Sequence, residues 1–265
     1  MLSIKTFPSG SAFYNAGGGH FAVDESSYLI LNHGRSYAVT IESEVESFCI
    51  FFAPEFAADV FRSLTTKTLP LLDSPAAPSS LPIDFFEKTY RHDDLLSPCL
   101  FQLRSVLRQG KDNPGWLAEQ LHEVMRRMVL VHRESCLEAE ALSAVRKTTR
   151  EELYRRLHRA RDFMASSLHQ HLTLNDVAKV ACLSPNHLLR TFRQLFEQSP
   201  YQYLTGLRLK RAQGMLVQTN LSVTEICSAV GFESSGSFSW LFRRRIGFSP
   251  ESYRREKGDI GEAPS

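Results

Sequence analysis

The sequence predicts an α+β protein in two parts, and three observations predict it. Segments between residues 11 and 53 carry aromatic and β-branched residues between Gly, Asn and Ser breaks, the mark of short strands. From about residue 94 onward, apolar residues recur at spacings of three and four, the period of a helix face. One phrase is written twice, fifty residues apart: FRQLFEQSPYQY from Phe192 to Tyr203, and FRRRIGFSPESY from Phe242 to Tyr253. A repeat at that period marks one supersecondary unit used twice.

The chain has 265 residues, enough for one large domain or two ordinary ones. Its 43% hydrophobic and 23% charged content is that of a globular protein. No run of 18 apolar residues exists, which predicts no membrane span. The N-terminus, MLSIKTFPSGSAFYN, lacks a basic region followed by an apolar core and so reads as cytoplasmic. Five scattered cysteines (Cys49, Cys99, Cys136, Cys182, Cys227) with no CxxC read as buried thiols in a reducing compartment. The formal charge of +2 hides an asymmetry. Residues 1–142 carry 12 Lys+Arg and 18 Asp+Glu, net −6, and residues 143–265 carry 19 and 11, net +8. A basic half joined to an acidic half points to a polyanion-binding module attached to something else.

In the N-terminal half, FYNAGGGHFAV, SSYLILNHG, RSYAVTIES and VESFCIFFAP predict four short strands, and so a small barrel or sandwich. Gly17–Gly19 lacks the following helix a nucleotide loop requires and reads as a turn. His20 and His33, with no His-x-His pair, make no metal site, and no Ser-His-Asp arrangement is visible; no cofactor is expected. Leu69–Pro82 is Pro/Ser/Ala-rich and reads as a loop. A helix over about 94–109 follows, with Leu96, Leu100, Leu103 and Leu107 on one face. Another runs from Pro114 to about Glu134, with Leu117, Leu121, Val124, Met128 and Val131 spaced four-three-four-three. That stripe fits a coiled-coil seam of two heptads or an ordinary core face. Residues 135–150 read as a linker where the charge changes sign.

In the C-terminal half, Thr173 caps a short helix carrying Leu174, Val177, Ala178 and Ala181. Ser184 caps a second, with Pro185 at its first position and Leu188, Phe192 and Leu195 inward. Two short helices joined by a tight turn make a helix-turn-helix. Ser199-Pro200 then opens a connecting helix with Tyr203, Leu204, Leu207, Leu209, Ala212 and Leu216 inward. Ser222 with Glu225 is a capping box that opens a helix with Val223, Ile226, Ala229 and Val230 inward. Gly231 supplies the turn, and a last pair-forming helix carries Phe238, Leu241 and Phe242. Each copy of the repeated phrase therefore ends one helix-turn-helix and starts the helix that braces it.

Taken together, Arg208, Ala212 and Leu216, then Gly231-Phe232, Phe238 and Phe242, and GFSPESYR from Gly247 to Arg254 resemble the AraC/XylS family of bacterial transcription regulators over residues 151–256. The resemblance implies a seven-helix module with two recognition helices in adjacent major-groove segments. It also implies a cupin-like β-barrel with helices as the companion domain, so that the fold class becomes an N-terminal small cupin-like barrel followed by an all-α double helix-turn-helix. The domains are expected at 1–134 (sensing or dimerisation), 135–150 (linker) and 151–257 (DNA binding). Family resemblance turns the stripe Leu117, Leu121, Val124, Met128 and Val131 into a dimerisation helix. Where the family has Gly after the first recognition helix, Glu197 stands instead. A left-handed backbone there costs about 1–2 kcal/mol and alters the cap without losing the fold.

The start of a recognition helix meets base edges. Asn186 can pair with adenine, Arg190 with guanine, and Leu189 can touch a thymine methyl. Arg193, a turn later, suits phosphate. The second helix offers Ser235, Ser239 and Trp240 beside Gly236, a weak alphabet for direct readout, with Arg243 and Arg244 placed for phosphates. The expected protein is a sequence-specific regulator, more often an activator among relatives. Its expected partners are double-stranded promoter DNA, RNA polymerase, a second copy of itself and an unnamed small-molecule effector, with no membrane. Two other readings stay open: an enzyme carrying such a module, either a metal cupin or a DNA-repair alkyl acceptor, and a nonspecific nucleoid-binding protein.

Overall fold

The computed structural model describes residues 1–41, 44–65, 83–110, 113–144 and 146–258. The expected loop at Leu69–Pro82 lies outside the described residues. The chain divides into two compact units, Met1–Asp162 and Phe163–Ser265.

The first unit holds seven described strands: β1 (Leu2–Ser9), β2 (Ser11–Ala16), β3 (Gly19–Asp24), β4 (Ser27–Leu31), β5 (Tyr37–Thr40), β6 (Glu46–Phe52) and β7 (Thr89–Arg91). They form two antiparallel sheets in the orders β6-β1-β4-β7 and β3-β2-β5. Among the described residues these are open sheets, so the expected barrel is not closed. Gly17 and Gly18 form the tight β2–β3 turn, as read from the sequence. Strand β1 was not foreseen. It alternates Leu2, Ile4 and Thr6 with Ser3, Lys5 and Phe7, and a lysine on the interior side disguises the strand period.

Helices α1 (Pro54–Thr65), α2 (Ser97–Arg108), α3 (Pro114–Glu140) and most of α4 (Lys147–Ser166) complete the unit. One face of the four-stranded sheet, with Leu2, Ile4, Tyr28, Ile30, Ile50 and Phe52, packs against Leu96, Leu100 and Leu103 of α2. Val124, Met125, Met128 and Val131 of α3 close the same core. This corrects the dimerisation stripe. Val124, Met128 and Val131 are 0%, 0% and 5% exposed in a single chain, and Leu117 and Leu121 pack on the same core. A seam repeat and a core face have the same spacing, and here the sheet takes the stripe. The other sheet face packs Phe7, Leu29 and Leu31 against Ala12, Tyr14, Ala16, Phe21 and Val23 of the smaller sheet.

The expected linker at 135–150 is helical through Glu140 and again from Lys147. The unit boundary falls inside α4 rather than before it, and the packing explains why. Asp162 is buried and accepts from the Thr89 backbone N–H at 3.0 Å and the Thr89 hydroxyl at 2.6 Å. Arg161 bonds both Asp162 and Thr89. Buried Lys88 donates to the Tyr154 hydroxyl and sits 3.6 Å from Glu138. Burial lowers the Lys88 ammonium to about 8, and Glu138 opposes that shift.

Candidate nucleic-acid interface

The second unit is built on the repeat. Helix α5 (Leu174–Val180) starts at Thr173, whose side chain accepts from the Asp176 N–H while Asp176 reaches back to the Thr173 N–H. Helix α8 (Val223–Ala229) starts with the same reciprocal box between Ser222 and Glu225. Both helices end in the same turn. Leu183 N–H bonds Ala178 C=O at 3.0 Å and Cys182 N–H bonds Lys179 C=O at 3.0 Å; Phe232 to Cys227 and Gly231 to Ser228 repeat the pattern at the same distances. This is a Schellman motif, which places one left-handed residue after each helix. The residue is Cys182 (φ 52°) in the first unit and Gly231 (φ 86°) in the second. Cys182 is therefore exposed and not buried as expected, because the turn points it outward. Gly231 has a second reason to be glycine. A Cβ there would lie 2.6 Å from Leu168 C=O and 2.9 Å from the Arg208 guanidinium.

The recognition helices follow. Ser184 caps α6 (Pro185–Phe196) and Ser234 caps α9 (Ser235–Ile246), each accepting from the N–H three residues on. Leu188 and Phe192 in α6, and Phe238 and Phe242 in α9, are buried anchors at matching positions. Each helix ends on a left-handed residue whose N–H bonds the carbonyl four residues back at 2.9 Å: Glu197 (φ 59°) to Arg193, and Gly247 (φ 93°) to Arg243. Glu197 thus adopts the glycine conformation with an ordinary cap.

Brace helices complete each unit. In α7 (Pro200–Gln218), Arg208 donates to the carbonyls of Leu168 at 2.8 Å and Gln170 at 2.7 Å. In α10 (Pro250–Gly258), Arg254 donates to Leu216 C=O at 3.2 Å and to Leu221 C=O. Each arginine ties down the chain entering a helix-turn-helix. In α8 the buried residues are Ile226 and Cys227, with Val230 buried at the cap and Val223 half-buried beside them; Ala229, expected inward, is exposed, as is Leu174 at the start of α5.

On this frame the N-caps align the two recognition helices. Asn186 stands where Gly236 stands, Leu189 where Ser239 stands, Arg190 where Trp240 stands, and Arg193 where Arg243 stands. Asn186, Arg190 and Arg193 are exposed, and Leu189 is half-buried beside them. In α9, Ser235, Trp240, Arg243 and Arg244 are exposed and Ser239 is half-buried. The Arg244 guanidinium lies 5.1 Å from the centre of the Trp240 ring, which holds that large exposed ring at the helix surface. His187, between Asn186 and the buried Leu188, is half-buried.

Burial pushes the thiols of Cys49, Cys99, Cys136 and Cys227 up, away from the reactive thiolate an alkyl acceptor needs. Among the described residues, no group of three or more His, Cys, Asp or Glu side chains is disposed to hold a metal. No described helix is long and apolar enough to cross a membrane.

Two helix-turn-helix units, each with an exposed polar start and a basic end, held by brace helices, define a double helix-turn-helix DNA-binding module. Residues 177–256 match a family described as a helix-turn-helix domain. The melibiose operon regulatory protein of Escherichia coli is 33% identical over 93 residues, covering 35% of this chain and 31% of that one. The Msm operon regulatory protein of Streptococcus mutans is 39% identical over 85 residues, covering 32% and 31%. The lactose operon transcription activator of Staphylococcus xylosus is 31% identical over 98 residues, covering 37% and 35%. The C-terminal module belongs to the AraC/XylS family of transcription regulators. The chain spans about a third of the length of these curated relatives.

Proposed function

We propose that the protein is a sequence-specific DNA-binding transcription regulator, an activator that engages promoter DNA and RNA polymerase in the cytoplasm. The observation that carries this is the pair of aligned recognition helices with capped, exposed polar starts on a half of net charge +8. The printed names of the relatives, operon regulators and a transcription activator, support it. Asn186, Leu189 and Arg190 read bases in one major-groove segment. Ser235, Ser239 and Trp240 meet the next, and Arg193, Arg243 and Arg244 hold phosphates. The N-terminal unit senses a small-molecule effector, pairs with a second copy, or both, through a surface other than the buried α3 stripe.

The test is footprinting and titration on DNA flanking the protein's own gene. The expected result is a discrete protected site bound at least about 10³-fold tighter than random DNA. A ratio near one would favour the nonspecific nucleoid-binding reading instead.

A further inference from the structure

Arg208 and Arg254 hold the chain as it enters the two helix-turn-helix units, but their surroundings differ. Arg208 donates from Nε to Leu168 C=O at 2.8 Å and from Nη2 to Gln170 C=O at 2.7 Å, in the loop that leads into α5. Arg254 makes the matching pair of bonds to Leu216 and Leu221, ahead of α8. The repeat explains both pairs. It does not explain the further neighbours of Arg208, which come from the other helix-turn-helix. The Arg208 guanidinium lies 5.6 Å from the centre of the Phe232 ring. Phe232 in turn meets Phe238, the buried anchor of α9, with ring centres 5.2 Å apart. A Cβ on Gly231 would come within 2.6 Å of Leu168 C=O, 2.9 Å of Arg208 Nη2 and 3.0 Å of the His169 carbonyl carbon. The turn of the second unit therefore rests on the entry loop of the first and on Arg208. Beside this contact His171 Nε2 sits 3.0 Å from Glu233 Oε1; both side chains are exposed, so that pair adds little.

The two units are thus joined twice. One joint is α7 itself, 19 residues and about 28 Å long, running from the end of α6 toward the start of α8. The apolar core of the second unit takes in Leu209, Ala212 and Leu216 of α7 and, among the described residues, no side chain of α5 or α6. With that joint alone, bending of α7 would change the separation and angle of the recognition helices. The other joint is the entry loop, Arg208 and the turn at Gly231–Phe232, which closes a ring across the bend.

We infer that Arg208, seated on Gly231 and Phe232, is the strut that sets which spacing of its two DNA segments the protein accepts. The inference rests on the DNA-binding reading above. Adjacent major-groove segments lie one helical turn, about 34–36 Å, apart. One inserted base pair moves the second segment by about 3.4 Å and turns it by about 35°. A module braced at both joints does not follow that shift, whereas one joined through α7 alone follows it by bending. Arg208 is a positioning residue, acting through the placing of α6 and α9.

The experiment uses the full chain and its operator with one base pair inserted or removed between the two segments. Wild type should lose at least about tenfold in affinity on either change. Arg208→Met keeps the stem against Phe232 and removes the donors. It should cut that penalty at least about fivefold and leave base preference within each segment as in wild type. Spin labels at the matching exposed positions Arg193 and Arg243, with exposed Cys182 changed to Ser, give a second readout without DNA. Their distance distribution should be narrow in the otherwise wild-type chain and broader with Arg208→Met. A folded Arg208→Met that keeps either the full insertion penalty or the narrow distribution would overturn the strut. So would an equal loss of affinity at every spacing with base preference relaxed in both segments, the mark of a damaged fold. Should Arg208→Met fail to fold, Phe232→Leu, which keeps an apolar side chain and removes the ring under the guanidinium, takes its place with the same outcomes. A wild-type chain with no discrete site would end the DNA-binding reading, and the label distances would still decide the strut.

Discussion

Replacing Glu197 by Gly should stabilise the C-terminal unit. Glu197 holds φ 59° and ψ 10° at the end of α6, where its N–H closes the helix on Arg193 C=O. Left-handed backbone costs a residue with a Cβ about 1–2 kcal/mol, which glycine does not incur. Glycine gives back about 0.5–1 kcal/mol through the greater freedom of its unfolded chain. Among the described residues, the exposed Glu197 carboxylate has no ion-pair or hydrogen-bond partner that the substitution would remove. The net gain is therefore about 1 kcal/mol, and for a unit of roughly 100 residues that is a rise of about 4–8 °C in its melting point. Differential calorimetry of the full chain reads it, with Glu197→Ala as the control that keeps the strain and removes the charge. An unchanged or lowered midpoint for Gly, or an equal rise for Ala, would refute the backbone-strain argument. The reverse change, Gly247→Glu at the matching cap, should cost about the same 1 kcal/mol.

Three other outcomes follow from the packing and the charge layout. Gly231→Ala should cost at least about 2 kcal/mol, since its Cβ would meet Leu168 C=O at 2.6 Å in a left-handed backbone; a melting curve equal to wild type would contradict the fit. Val124→Asp places an unpaired carboxylate in the core of the first unit and should unfold that unit, read by circular dichroism and calorimetry; a folded variant that merely changes oligomeric state would restore the seam. Arg193→Ala should weaken binding to all DNA sequences alike and flatten the dependence of log K on log salt by about 0.9, measured by anisotropy across a salt series; a loss confined to one base pair would assign Arg193 to readout.

The C-terminal unit was legible almost residue by residue. Its caps, turns and buried stripes are local signals: Thr173, Ser184, Ser199 and Ser222 all cap the helices their positions predict. At Glu197 an altered cap was expected, but the residue takes the left-handed state of Gly247 and closes its helix with the same bond. The α3 stripe shows the limit, since spacing reports that a face is buried and not against what. The hold of α4 on the first unit depends on Asp162 meeting Thr89, 73 positions away in the chain, which no local pattern encodes. Strand β1 was missed for a similar reason: only its register against β4 and β6 places Lys5 between two sheets.

Whether the two recognition helices do unequal work is tested most directly by a base-by-base substitution scan of the operator, with wild type and with Arg190→Ala. The first helix presents Asn186 and Arg190, which pair bidentately with base edges, and the second presents Gly236, Ser239 and Trp240 at the matching positions. Arg190→Ala should cost about 1–3 kcal/mol at the cognate operator and relax preference at one position under the first helix, while substitutions under the second helix change affinity little. Equally sharp discrimination under both helices, at positions without deformable steps, would contradict the assignment.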